Sequence, residues 1–272
     1  MYLWLLFNNS KFDYFVVLGQ SADITQIAAC SGHRVFEKYV VPRKNISREA
    51  TEVTGLSMNN GKLFLHGKEV PSATTIADAL HSFFSFLSQL NKPILVGYNI
   101  RSFDVPILLN NLVALNLVSE FSKYFVGFLD LLPICRASFK DLPDFKQTSV
   151  LKHLNGPDFE AHNALGDVQA LSYIYFAMEI PQKSVQRNLF SLFTIRKHVS
   201  LKHLVQCKTL SSTMQKKLSD SGIGFEELQT AHRRDPEGGI RNLFSECVNG
   251  VPRISKSKSV IGKISNFFNS KN

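Results

Sequence analysis

Three side chains in this sequence could hold a cation and move a proton: Asp104 in "GYNIRSFDVPIL", and His162 and Asp167 in "AHNALGDVQAL". Carboxylate oxygens suit Mg²⁺ or Mn²⁺, and imidazole is the side chain best matched to act as a base near neutral pH. Carboxylates that hold two such ions about 4 Å apart can stabilise the attacking and leaving oxygens of a phosphodiester while a base deprotonates water. Taken without Asp104, His162 and Asp167 read more simply as a histidine flanking a helix and an acid favoured by its dipole. Asp104 changes the balance, because it follows a short apolar run at the point where a strand-to-helix turn delivers side chains to the carboxyl edge of a sheet.

The elements that must position these residues are legible. "DYFVVLG", "DITQIAAC" and "HRVFEKYVV" read as three strands of an antiparallel meander, with "SG" at 31–32 turning the second into the third. "ATTIADALHSFFSFLSQL" places Ile76, Leu80, Phe83, Phe84 and Leu87 on one helical stripe. "KPILVGYN" is continuously apolar, as a buried strand is. "FDVPILLNNLVAL" reads as a helix starting near Asp104, with Pro106 tolerated in its first turn. "YFVGFLDLLP" reads as a strand ending at Asp130, "TSVLKHLN" as a short helix and "NALGDVQALSYIYFAMEI" as a long one ended by Pro181. Residues 184–247 read as mostly helical.

Of 272 residues 44% are hydrophobic, including 22 Phe, which is ample for a core and excludes a disordered chain. The four cysteines (Cys30, Cys135, Cys207, Cys247) form no close pair, which argues against a disulfide framework or a zinc site and for a reducing compartment. "MYLWLLF" is too short to span a bilayer or to act as a secretory signal. The expectation is a soluble protein, cytoplasmic or nuclear, without a membrane partner. Residues 1–180 carry 15 Lys and Arg against 16 Asp and Glu, whereas residues 181–272 carry 16 against 6. The excess makes the rear part a candidate for polyanions or, more plainly, a solubilising surface.

"GYNIRSFDVPIL" and "AHNALGDVQAL", about sixty residues apart, resemble the second and third motifs of DEDDh (DnaQ-like) 3′–5′ exonucleases. That family includes the proofreading subunit of bacterial DNA polymerase III, ribonuclease T and the three-prime repair exonucleases. "ADITQIAA" resembles its second strand, "EATEVTGLS" the element after its third, and "FLDLLPICR" its D-T-L strand. "LQTAHRRDPEGGIRNL" resembles the C-terminal exonuclease-like region of the promyelocytic leukaemia protein, isoform I, and the PML-like exonucleases of fish. The resemblance implies a ribonuclease H-like mixed α/β sheet flanked by helices. It implies Asp104 and Asp167 as metal ligands, His162 as general base, Mg²⁺ or Mn²⁺ as cofactor, and single-stranded DNA or RNA 3′ ends as partners.

The family's first motif, Asp-x-Glu at the end of strand one, is not intact. Aligned through "KFDYFVVLGQSADITQ", its acids fall on Phe12 and Tyr14; a one-residue shift recovers Asp13 but sets Phe15 in place of the glutamate. Such a slip also exchanges the faces of a strand. Loss of a bridging carboxylate should cost more than the roughly 10–100-fold that follows loss of an outer partner. Three readings stay open: a silent fold kept for binding nucleic acid or protein, residual one-ion hydrolysis through Asp13, Asp104, Asp167 and His162, or a coding start that replaces the family's first strand.

Expected domains are residues 1–180 (exonuclease-like), 181–250 (helical extension) and 251–272 (a basic, loosely ordered tail). "LSDSGIGFEELQTA" resembles a helix-hairpin-helix turn, whose amides can hold a DNA phosphate, although a plain helical hairpin is the simpler reading. Arg233 and Arg234 are the residues expected to meet phosphates; such a pair also suits a solvated face.

Overall fold

The computed structural model describes residues 2–9, 23–158, 163–248 and 250–270, with backbone alone for 2–9 and for Val248. It comprises two compact units, Met1–Leu189 and Phe190–Asn272.

In the first unit, β1 (Tyr2–Asn9), β2 (Ile24–Ser31) and β3 (Arg34–Tyr39) form an antiparallel meander. β1 lies earlier in the chain than the strand "DYFVVLG" expected from sequence, whose residues 13–19 lie outside the described ones. β2 is hydrogen-bonded to β1 along one edge and to β3 along the other, so it has no edge left for another partner.

From β3 the chain enters α1 (Arg48–Thr54), capped by the Ser47 side chain and closed by Gly55 at φ +70°. A small three-stranded sheet follows, β4 (Leu56–Asn59), β5 (Lys62–Leu65) and β6 (Lys68–Glu69). Its first turn uses Asn60 and Gly61 at φ +48° and +74°, its second His66 and Gly67 at +48° and +78°. Two successive positive-φ residues are what tight hairpins demand. Then come α2 (Ile76–Ser88), β7 (Ile94–Gly97), α3 (Asp104–Ala114), α4 (Val118–Phe121), β8 (Gly127–Asp130), α5 (Leu131–Ser138), α6 (Gln147–His153), α7 (Ala164–Ala177), α8 (Gln182–Asn188) and the short β9 (Leu189–Phe190). The main sheet has the order β3-β2-β1-β7-β8-β9, with β1, β7 and β8 parallel. This is the expected mixed α/β sheet.

Both faces of the sheet are covered, so β2 is buried along almost its whole length. On one face Ala28, Cys30, Val96 and Leu129 pack with α5, α6 and α7. On the other, Phe36 meets Phe83 and Phe86 of α2, and Phe128 meets Phe121 and Phe125. This aromatic layer accounts for many of the 22 Phe. Val185 of α8 joins the α7-side core, so the unit runs past Pro181 to Leu189.

The second unit holds α9 (Leu192–Ser200), α10 (Lys202–Gln206), α11 (Ser212–Asp220), α12 (Phe225–Arg234), α13 (Gly239–Ser245), a two-residue hairpin of β10 (Cys247–Val248) and β11 (Val251–Pro252), and α14 (Lys258–Asn269). The loosely ordered tail expected at 251–272 is corrected here. Ile261, Ile264 and Phe268 recur at helical spacing and are buried in the unit's core with Leu204, Leu218 and Phe244. The polar composition of that stretch hid a narrow apolar stripe. No helix among the described residues is long and apolar enough to cross a membrane.

Candidate functional site

Parallel strands send their C-terminal ends to one edge of a sheet, and here β1, β7 and β8 do so together. β8 ends on Asp130, a buried carboxylate that organises that edge. It accepts N–H bonds from Asn99 (2.7 Å), Arg101 (3.1 Å) and Leu132 (3.1 Å). The last of these caps α5; the first two pin the loop between β7 and α3. Burial pushes the Asp130 carboxyl up, while the three N–H groups and the Arg101 guanidinium pull it back. Asn99 takes φ +59° inside this clamp. The loop so fixed delivers Asp104 as the buried first residue of α3. Sequence marked Asp130 only as a strand end; an aspartate directly before "LLP" at a strand-to-helix junction was the signal for a cap.

Asp167 lies half-buried in the first turn of α7. Asn163 caps this helix, accepting from the N–H groups of Leu165 (3.0 Å) and Gly166 (3.3 Å). The Ala164 N–H reaches Gln26 Oε1 of β2 at 3.3 Å, and the Asp167 carbonyl accepts from Gln147 Nε2 at 2.6 Å. Gln26 is 1% exposed and also donates to Glu37 at 2.8 Å, so a buried amide ties β3, β2 and the mouth of α7 together. α3 and α7, the helices that carry Asp104 and Asp167, both pack against β1.

β1 completes the edge, and in the antiparallel register its residue Asn8 pairs with Gln26 of β2. Asp13, which sequence alignment nominated, lies outside the described residues, as does His162. Among the described residues no group of three His, Cys, Asp or Glu gathers. The donor set they offer, Asp104 and Asp167 with Asp130 engaged by N–H groups, does not amount to a two-ion site.

The rear motifs have structural roles. In the hairpin between α11 and α12 the Gly224 N–H donates to Glu227 Oε2 (2.8 Å) and the Phe225 N–H to Ser200 Oγ (3.0 Å). Those amides are taken, which favours a plain helical hairpin over a phosphate-holding turn. In "AHRRDPEGG" His232 is buried, stacked on Phe268 and 2.8 Å from Asn269 Oδ1. Asp235 accepts from the Gly238 N–H at 2.9 Å, and any Cβ on Gly239 would lie 2.0 Å from the Ala231 carbonyl oxygen. This corner needs its glycine for close approach of α13 to α12. Arg233 and Arg234 are exposed at the end of α12.

Comparisons with known proteins agree with this architecture. Residues 19–175 match the family model described as Exonuclease, and residues 197–271 the model described as PML, C-terminal domain. The Exonuclease match begins after β1. Protein PML of Homo sapiens is 27% identical over 170 residues, covering 62% of this chain and 19% of its own length. Protein PML of Mus musculus is 26% identical over 188 residues, covering 69% and 21%. The chain thus spans about a fifth of the curated relatives it matches. A structure of exonuclease I superposes with TM-score 0.52 at 17% identity, over 75% of this chain and 45% of that one. The zinc-bound E. coli exonuclease I–single-stranded DNA complex gives 0.53 at 16%, over 75% and 44%.

Proposed function

Because the chain belongs to the exonuclease family, we propose that it engages 3′ ends of DNA or RNA at the carboxyl edge of its main sheet, with hydrolysis lost or strongly reduced. The observation that carries this reading is that α3 and α7, which carry Asp104 and Asp167, both pack against β1, while among the described residues no third acid, His or Cys gathers beside them. Two carboxylates alone bring too little charge to hold a pair of divalent ions against a phosphate. A Mg²⁺ or Mn²⁺ ion, when bound, would neutralise phosphate charge, and Asp104 and Asp167 are the residues we assign to it. His162 is assigned as the base that any remaining hydrolysis would use. Arg233 and Arg234 are assigned to phosphates on the strength of their exposure. The similar exonuclease I fold, solved with single-stranded DNA, supports the choice of ligand class.

The test is a 3′-recessed and a single-stranded oligonucleotide, each end-labelled, incubated with the whole chain and Mg²⁺ or Mn²⁺. Retention without shortening is expected. Shortening from the 3′ end that vanishes in Asp104→Asn and His162→Ala would overturn the loss of hydrolysis. Absence of any retention at low salt would overturn the reading itself.

A further inference from the structure

Charge in the unit Phe190–Asn272 is segregated along the chain. All six of its acids fall within residues 220–246, together with three arginines. The flanking segments, 190–219 and 247–272, carry 11 Lys and Arg and no Asp or Glu.

These two acid-free segments meet around a cleft of about 400 Å³. Lys208, Thr209 and Ser212 line it from the turn between α10 and α11; Val260 and Lys263 line it from α14. The ion pairs of this unit engage Lys197, Lys216 and Arg253; among the described residues Lys208 and Lys263 have none. Lys208 closes α10 at φ +58°, a position glycine fills at lower cost, so the backbone gains nothing from lysine there. On the same face of α14, Phe267 stands seven residues after Val260 and four after Lys263, and its ring meets exposed His203 of α10 edge to face.

We infer that this cleft takes a phosphodiester of a nucleic-acid strand, with Lys208 and Lys263 on the phosphate and the hydroxyls of Thr209 and Ser212 as donors. The site rests on the reading that the chain handles nucleic acid, but uses residues apart from the carboxyl edge and from Arg233 and Arg234. A repeating anion fits better than a single phosphorylated side chain, because the cations extend along both segments beyond the cleft. The His203–Phe267 pair offers apolar ring surface where a base would follow its phosphate.

The experiment measures binding of a fluorescent single-stranded 20-mer to the whole chain between 50 and 200 mM salt. Lys208→Glu and Lys263→Glu should each weaken binding about tenfold at 50 mM and flatten the slope of log K against log salt by about one. Lys208→Gln/Lys263→Gln, which removes both charges without reversing them, should flatten the slope by about two while thermal melting is unchanged. If the double variant binds like the parent, this site is overturned and the carboxyl-edge reading stands. If the parent binds no strand, both fall. Retention on phosphatidylserine vesicles stronger than on the 20-mer, and lost in the same double variant, would overturn nucleic acid as the ligand.

Discussion

Cations and acids nearly balance in the unit Met1–Leu189, at 17 against 16, whereas Phe190–Asn272 carries 14 against 6. The difference extends to how polar groups are used. In the first unit the buried ones, Gln26 and Asp130, each tie separate elements together through backbone N–H groups, and their product is alignment. In the second, most cations face solvent and the buried polar contacts are confined to helix junctions such as His232 with Asn269. One unit arranges an edge; the other displays charge. Long-range attraction to a polyanion belongs to the second, and its strength falls as salt rises, while anything that depends on geometry belongs to the first.

The sharpest way to break this comparison is to damage one core and watch the other. Phe121→Ala should cost the first unit about 3–5 kcal/mol, and Phe268→Ala the second a similar amount. Urea unfolding followed by fluorescence and by salt-sensitive strand binding should then show each variant moving one transition. A common shift in both would show the units to be one cooperative body. A smaller effect is expected for Asp130→Ala, which strands the N–H groups of Asn99, Arg101 and Leu132: about 3 kcal/mol, confined to the first unit. Amide exchange at residues 99 and 101 should accelerate first, and unchanged protection there would contradict the clamp.

The smallest effect concerns the thiols, which divide by unit. Cys30 and Cys135 are buried, and burial raises their thiols to about 11 and about 12; Cys207 and Cys247 are exposed. Two thiols per chain should react with an aromatic disulfide reagent at pH 8, and four in denaturant. A thiol held above its unfolded value of 9.0 stabilises fully below that pH and loses its contribution as pH rises through the folded value. Melting of the first unit should therefore fall between about pH 9 and 12, with that of the second unchanged by this cause.

Much of the first unit was legible because its signals are local. Helix stripes, the strand before Asp104 and the two acidic motifs each lie within one short stretch. The strand Tyr2–Asn9 was not read from the sequence, because only its pairing with β2 and β7 marks it. Asp130 and Gln26 were missed for a related reason: their partners lie 29–31 and 138 residues away, beyond any window of periodicity. In the rear unit net charge was visible at once, but which lysines share a cleft depends on α14 docking, and composition had set that helix aside.

The neighbours of β1 have a consequence for biosynthesis. Its β2 side can zip up once residue 31 has emerged, but its β7 side stays open until residue 97. At roughly 5–20 residues per second that interval lasts several seconds on the ribosome. During it the nascent polypeptide exposes an unpaired apolar edge, the kind of surface that invites chaperones or sticks to its own kind. Slowing elongation between the codons for residues 32 and 94 should lower soluble yield, and a holdase in the translation mix should restore it.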